Sequence, residues 1–318
     1  MIFKEFDNQI TINANLIKIF GFVICLFVLL PWFVPAATHL CEVSPLNIGG
    51  CLDPSWALSV SWALEKNFIF GKDFVFTYGP LGFLATRIAL NFNYKFFLIF
   101  DVFVLANFGF ILMHTLRRFP AIPGIFVCLL FSYTIAGSGM YMDQIVFTLL
   151  IISIFWLNYS LKKTAWVLII PILITTLLFF IKVNVSLVAL LIFYIYLGYS
   201  IISIKEQRLH KLGFALLLPI LIILISIPLN TYLFGYLLGS LSLIDGYNDA
   251  MGIKLGNYFQ YLLFAILIIF TYLLTFYLKN WKQNLLLLLT SVIVTFILFK
   301  QSFVRSDLHI VAFFLNFP

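Results

Sequence analysis

The chain has 318 residues, of which 63% are hydrophobic and 10% charged, with a formal net charge of +7. A soluble domain carries about 25% charged residues, so this composition excludes a water-soluble globule and makes lipid the main solvent. The basic excess is not a nucleic-acid signature, because the Lys and Arg are spread between apolar runs and form no groove interleaved with aromatics; it reads as membrane orientation.

In chain order, apolar runs near 15–36, 96–114, 121–137, 144–161, 165–181, 184–204, 212–234, 257–278 and 284–299 predict about nine spanning helices in an all-α integral membrane protein. The first run resembles a secretory signal, with Pro35-Ala36-Ala37 as a mock cleavage site. It is long for a signal core and reads as an uncleaved first helix. The runs at 121–137 and 165–181 are short, which predicts unusual tilt or a place deep in the bundle. A cytoplasmic N-terminus puts Lys4, Lys18, Arg117, Arg118, Lys162, Lys163, Lys205, Arg208, Lys211, Lys279 and Lys282 inside, against only Glu5, Asp7 and Glu206. That asymmetry over short connections sets the orientation. Outside then fall 37–95, 138–143, the Lys182 turn with 235–256, and 300–309. No internal repeat or soluble second domain interrupts residues 1–318, which read as one membrane domain. The chain stops at Phe313-Phe314-Leu315-Asn316-Phe317-Pro318 as a tenth apolar stretch begins, so further C-terminal sequence is expected.

The first outer loop, 37–95, is much the longest. Cys41 and Cys51 lie in it; an oxidising exterior allows a disulfide between them, and two free thiols are the alternative. Asp53-Pro54-Ser55-Trp56 is a good helix start, with Asp as cap and Pro in the first turn. The helix expected over about 54–66 has Trp56, Val60, Ala63 and Leu64 on one side, with Ser55, Ser59 and Glu65 elsewhere. Trp56 and Trp62 suit the headgroup region, so it is expected to lie along the membrane surface. A carboxylate there can cap the helix. It also stands where a base must be to deprotonate a hydroxyl attacking a lipid-held donor. The two roles do not exclude each other.

Asp143, at the outer mouth of the fourth span, is either a cap for that helix or a second acid converging on the same cavity. Asp101 lies within the second span, where an ionisable group needs a partner or a polar cavity; Lys95 is the expected partner. Lys300-Gln301-Ser302-Phe303-Val304-Arg305-Ser306-Asp307-Leu308-His309 packs several titratable groups between apolar runs. Arg305 has the fork geometry for a phosphate and His309 can donate or shuttle a proton; the alternative is snorkelling with a local Arg305–Asp307 pair. Lys182 is either a plain hairpin turn or a further cation facing the same cavity. Nucleotide-binding loops, a His-Glu-x-x-His pair and a Gly-x-Ser-x-Gly elbow are absent from the sequence. No cysteine spacing suits zinc, and no Asp-x-Asp in the outer loops supports a divalent metal. No cofactor is expected.

Asp53, the helix from Trp56 to Lys66, the Gly71-Lys72-Asp73 turn and Tyr78-Gly79-Pro80-Leu81 together resemble the GT-C superfamily of polytopic membrane glycosyltransferases. The spacing is similar to the bacterial branch that uses lipid-phosphate-linked sugars. The motif likeness covers roughly 15–95, with topology extending it. There are departures: the place of a second acid after the loop Asp is taken by Pro54, and the C-terminal outer domain that many relatives carry is either lacking or lost from this chain. The resemblance implies transfer of a sugar, with inversion, from a polyprenyl-phosphate carrier to a hydroxyl of a glycan or lipid acceptor, at the outer face of a plasma (bacterial inner) membrane. Asp53 would be the base, and Tyr78 and Asp73 would position the loop and acceptor. Charge and topology, not a motif, suggest Arg305, His309 and Lys182 for the donor phosphate. A polymerase or ligase of lipid-linked glycans is a rival, although its long outer loop usually comes late. A transporter or flippase is a second, disfavoured by the lack of repeated halves.

Overall fold

The computed structural model describes residues 2–29, 52–88, 94–136, 144–204, 206–251, 258–277 and 285–303, with side chains left undescribed near several of these ends. Every regular element among them is helical, with only isolated bridges between extended residues. The helices are α1 (Ile2–Leu29), α2 (Leu52–Glu65), the short α3 (Phe83–Thr86), α4 (Tyr94–Arg118), α5 (Ala121–Ala136), α6 (Gln144–Ser160), α7 (Ile169–Ile181), α8 (Val183–Ser203), α9 (Arg208–Ser226), α10 (Leu233–Met251), α11 (Tyr258–Tyr277) and α12 (Leu285–Ser302). Each of the nine apolar runs carries a helix. The run at 212–234 is the least well matched, since α9 starts earlier and ends at Ser226. α10 is an additional helix in a segment expected to be an outer connection. Three helical stretches, Lys95–Arg118, Val183–Ser203 and Arg208–Ser226, are long and apolar enough to cross a membrane.

The breaks follow proline and glycine chemistry. α4 ends at Arg118 because Phe119 precedes Pro120 and is biased away from helix; Arg117 and Arg118 in its last turn complement the helix dipole. Pro171 falls in the first turn of α7, where its missing N–H costs nothing. α9 ends just before Ile227-Pro228, and Asn230 then turns the chain with φ of 48°, a conformation Asn tolerates well.

The chain forms two compact units, Met1–Glu65 with Phe83–Ile152, and Lys66–Gly82 with Ser153–Pro318. In the first, α1 packs along α5 and both meet α4. Its core gathers Cys25, Leu29, Phe108, Leu112, Leu116 and Cys128. Gly21 of α1 lies where a Cβ would run into Ile125 of α5, so the two helices approach closely there. The short α5 is not deep: Ile122, Phe126, Leu130 and Tyr133 are exposed along one side.

In the second unit α7, α8 and α9 pack on one another, with α10 and α12 against α8. α7 is buried on nearly all sides, so the short 165–181 run does belong to the middle of a bundle. At about 20 Å it is shorter than the roughly 30 Å of a hydrocarbon core. The three helices run between two distinct ends. At one end lie Lys182, the turn after α9 and segment 66–82. At the other lie the turn after α6, the 3-10 turn Ala165–Leu168 and the start of α9.

Candidate functional site

The best-defined polar structure is the part of the first long loop that belongs to the second unit. Residues 66–82 cross the end of the α7–α10 helices on a series of backbone bonds. Phe70 N donates to Asn230 O (3.0 Å) and Tyr232 N returns to Phe70 O (2.8 Å). Gly79 N donates to Ile181 O (3.0 Å), Leu81 N to Phe180 O (2.9 Å) and Val183 N to Thr77 O (3.1 Å). Side chains add to this: Asn230 Nδ2 donates to Asn67 O (2.8 Å), Ser240 Oγ to Phe76 O (2.9 Å), and the buried Tyr236 hydroxyl to Phe179 O (3.2 Å). An irregular segment whose backbone polar groups are so widely paired is held in one conformation.

Glycines permit the close approach. Gly71 has φ of 90° and its would-be Cβ meets the backbone of Tyr232 and Tyr236. Gly235 lies against Gly71 O, and Gly239 against Val75. Gly235 thus admits the loop backbone onto α10 and Gly239 the Val75 side chain, a use of small residues well suited to apolar surroundings. Gly71→Ala should cost about 1–3 kcal/mol, since both sterics and a positive φ oppose it. Gly213→Ala, which meets open space on α9, should be neutral or slightly stabilising. Thermal unfolding in detergent checks the pair, and equal effects would mean the loop is not seated as described.

Asp73 closes the turn before the bridging segment by accepting from Ile69 N (3.0 Å), and remains exposed. Asp73 thus shapes its own turn. Tyr78 and Lys182 come together: they form an antiparallel bridge, Lys182 Nζ donates to the Tyr78 hydroxyl (3.2 Å) and stands 4.6 Å from the ring centroid. Lys182 is extended (φ −152°, ψ 109°) between α7 and α8 and both side chains are buried. Lys182 therefore forms the hairpin turn between α7 and α8, with its side chain held beneath the loop by Tyr78.

Asp53 is the second residue of α2, one step inside the helix instead of capping it; its side chain lies outside the described residues. α2 packs against α3 and buries the small residues Ala57, Val60, Ser61 and Ala63. Val60 and Ala63 match the expected apolar side, whereas Trp56 is only half-buried and Trp62 is 47% exposed. Asp143, Arg305, His309, Cys41 and Cys51 lie outside the described residues.

Asp101 requires a correction. Its partner is Arg87, with Nη1 to Oδ1 at 2.7 Å and Nη2 to Oδ2 at 2.9 Å, while Lys95 is exposed. Lys95 is the second residue of α4 with Asp101 six residues further on, nearly two turns away, whereas Arg87 approaches from the preceding connection. Arg87 follows α3 in a left-handed conformation (φ 60°), its N–H donating to Phe83 O (2.9 Å), and its guanidinium also lies 4.8 Å from the Phe97 ring centroid. The signal that could have identified it is a single Arg inside the apolar Phe83-Leu84-Ala85-Thr86-Arg87-Ile88 stretch, which needs an acid nearby.

No group of three or more His, Cys, Asp or Glu side chains is placed to hold a metal among the described residues. The chain matches no family model, no curated protein and no solved structure.

Proposed function

We propose that this chain is an integral membrane glycosyltransferase that moves a sugar from a polyprenyl-phosphate carrier to an acceptor hydroxyl of a glycan or lipid at the outer face of a plasma (bacterial inner) membrane. The observation that carries the reading is the docking of the early loop, through Tyr78-Gly79-Pro80-Leu81, onto the Lys182 end of α7–α10. This loop is the part of the sequence that resembles GT-C enzymes, and it is built as a fixed polar cap on apolar helices. The ends of α8 and α9 support the orientation. Lys162, Lys163, Arg208 and Lys211 gather at the end opposite the loop, as an N-in protein of about nine spans requires. α2, preceding the loop, would lie at the outer surface with Trp62 among headgroups.

In this reaction the acceptor oxygen forms a bond to the anomeric carbon as the bond from that carbon to the carrier phosphate breaks. The acceptor proton passes to Asp53, and the configuration inverts. The phosphate departs with its electron pair and needs little protonation, so cations that hold it contribute more than an acid would. Arg305 and His309 take that role, and Lys182, buried against Tyr78, supplies positive charge behind the loop. Asp73 and Tyr78 fix the loop against which the acceptor is presented.

Purified protein in vesicles, given a panel of polyprenyl-phosphate sugars and glycan or lipid acceptors, should release polyprenyl phosphate only when donor and acceptor are both present. Arg305→Lys should raise the donor KM or lower kcat, because an ammonium cannot reproduce a bidentate hold, and Arg305→Ala should do worse. Variants that bind a polyprenyl-phosphate analogue as tightly as the parent would remove Arg305 from the site. Absence of transfer across the panel would count against the enzyme assignment itself.

A further inference from the structure

The end of the second unit opposite the loop carries a different charged surface. After α6 the chain turns through Lys162 and Lys163, both exposed, into the 3-10 turn Ala165–Leu168. That turn is fixed to the start of α9: Ala165 N donates to Gln207 Oε1 (2.6 Å). Trp166 packs beside His210 (ring centroids 6.3 Å) and edge-on to Phe214 (5.7 Å). The lysine turn and the start of α9 are therefore one surface. The C-terminal carbonyls of α8, which would otherwise offset its charge, have their own cations: buried Lys211 Nζ donates to Ser200 O and Ile204 O (3.2 and 3.1 Å), and Arg208 Nε to Ile201 O (3.0 Å). Lys162, Lys163 and Arg208 stand exposed, with Glu206 the acid beside them.

We propose that this surface binds the headgroup of an anionic phospholipid. The lysines and Arg208 would meet its phosphate, and Trp166 would lie at the level of the glycerol backbone. The flanking apolar surface decides for a lipid over a free anion. Trp166 is 63% exposed, Ile202 77% and Leu209 83%. Such side chains gain from acyl chains and nothing from phosphate in solution. A Trp ring with one polar N–H and a large apolar body is suited to this depth. Basic clusters at the cytoplasmic end of spanning helices attract anionic headgroups by about fivefold per cation at moderate salt. The inference rests on the membrane orientation proposed above, and not on transferase chemistry.

The test uses the full chain in phosphatidylcholine vesicles with increasing phosphatidylglycerol, each lipid supplied in turn with brominated acyl chains that quench nearby Trp. Brominated phosphatidylglycerol should quench more than brominated phosphatidylcholine at equal fraction. The excess should disappear in Trp166→Phe, which assigns it to this ring among the six Trp of the chain. Lys162→Gln with Lys163→Gln should reduce the preference at least about fivefold and leave the unfolding temperature unchanged. Arg208 is left intact because it also caps α8. Equal quenching by the two lipids would overturn the proposal. So would loss of the preference on adding millimolar inorganic phosphate at constant ionic strength, which would indicate a free-anion site. Sugar transfer is measured separately, so failure here leaves the enzyme reading standing and failure there leaves this one.

Discussion

Arg87→Ala should destabilise the folded chain by about 3–5 kcal/mol, the cost of leaving a buried carboxylate without its partner. The pair is well made for its position. Both side chains are largely out of solvent, the contact is bidentate, and the guanidinium gains a further contact over Phe97. Its backbone is in the left-handed region, which disfavours a long side chain, so the pair also holds a conformation that the chain would otherwise leave. Asp101→Asn should cost less than Arg87→Ala or Asp101→Ala, since an amide oxygen still accepts one of the two bonds. Replacing both members by apolar residues of similar volume, Arg87→Met with Asp101→Leu, should recover much of the loss. Lys95→Ala should stay within about 0.5 kcal/mol, as an exposed site away from the pair. Thermal unfolding in detergent separates these outcomes. If Lys95→Ala matched Arg87→Ala, the pairing would be assigned wrongly; if the double apolar variant were as unstable as Arg87→Ala, the ion pair itself would be required.

Features of this chain differ in how plainly its sequence carries them. Helix positions were legible because a bilayer-length apolar run has few other uses, and Pro120, Pro171 and Pro228 mark several boundaries by backbone chemistry alone. The burial of α7 was only half legible, since shortness offered burial or unusual tilt for α5 and α7 alike, and α5 has an exposed side. The partner of Asp101 was not, because Lys95 is nearer in sequence but a helix turns it away, while Arg87 reaches the acid across a connection of uncertain path. The use of Gly235 and Gly239 was hidden for a related reason. Their spacing suggests close helix packing, but the object they admit is an irregular loop some 160 residues earlier. Lys182 showed the limit of local reading most clearly. It is the turn, and its side chain is held by Tyr78, 104 residues earlier, a contact that no local pattern announces. The charged segment at 300–309 remains a matter of sequence chemistry, since Arg305 and His309 lie outside the described residues.

Asp53→Asn should abolish sugar transfer, lowering kcat by about 10²–10⁴-fold as removal of a general base does, while leaving folding and insertion almost unchanged. The substitution is chosen because the two roles of the residue respond differently to it. Asp53 stands in the first turn of α2, just before Pro54. Asn there keeps nearly the same shape and hydrogen-bonding oxygen. What is lost is the charge, whose interaction with the helix N-terminus is worth about 0.3–1 kcal/mol at an exposed site. A residue that only stabilised α2 would therefore show a small shift in unfolding temperature and near-normal turnover. A residue that accepts the acceptor proton would show the reverse. Donor binding provides a second readout: a polyprenyl-phosphate analogue should bind the variant as tightly as the parent, because the base acts on the acceptor and repels the anionic carrier if it touches it at all. Asp53→Glu refines the test, since a carboxylate displaced by one methylene should recover some turnover without changing donor affinity. Near-normal kcat in Asp53→Asn would assign the residue to the helix end, and the acid would then have to be sought at Asp143.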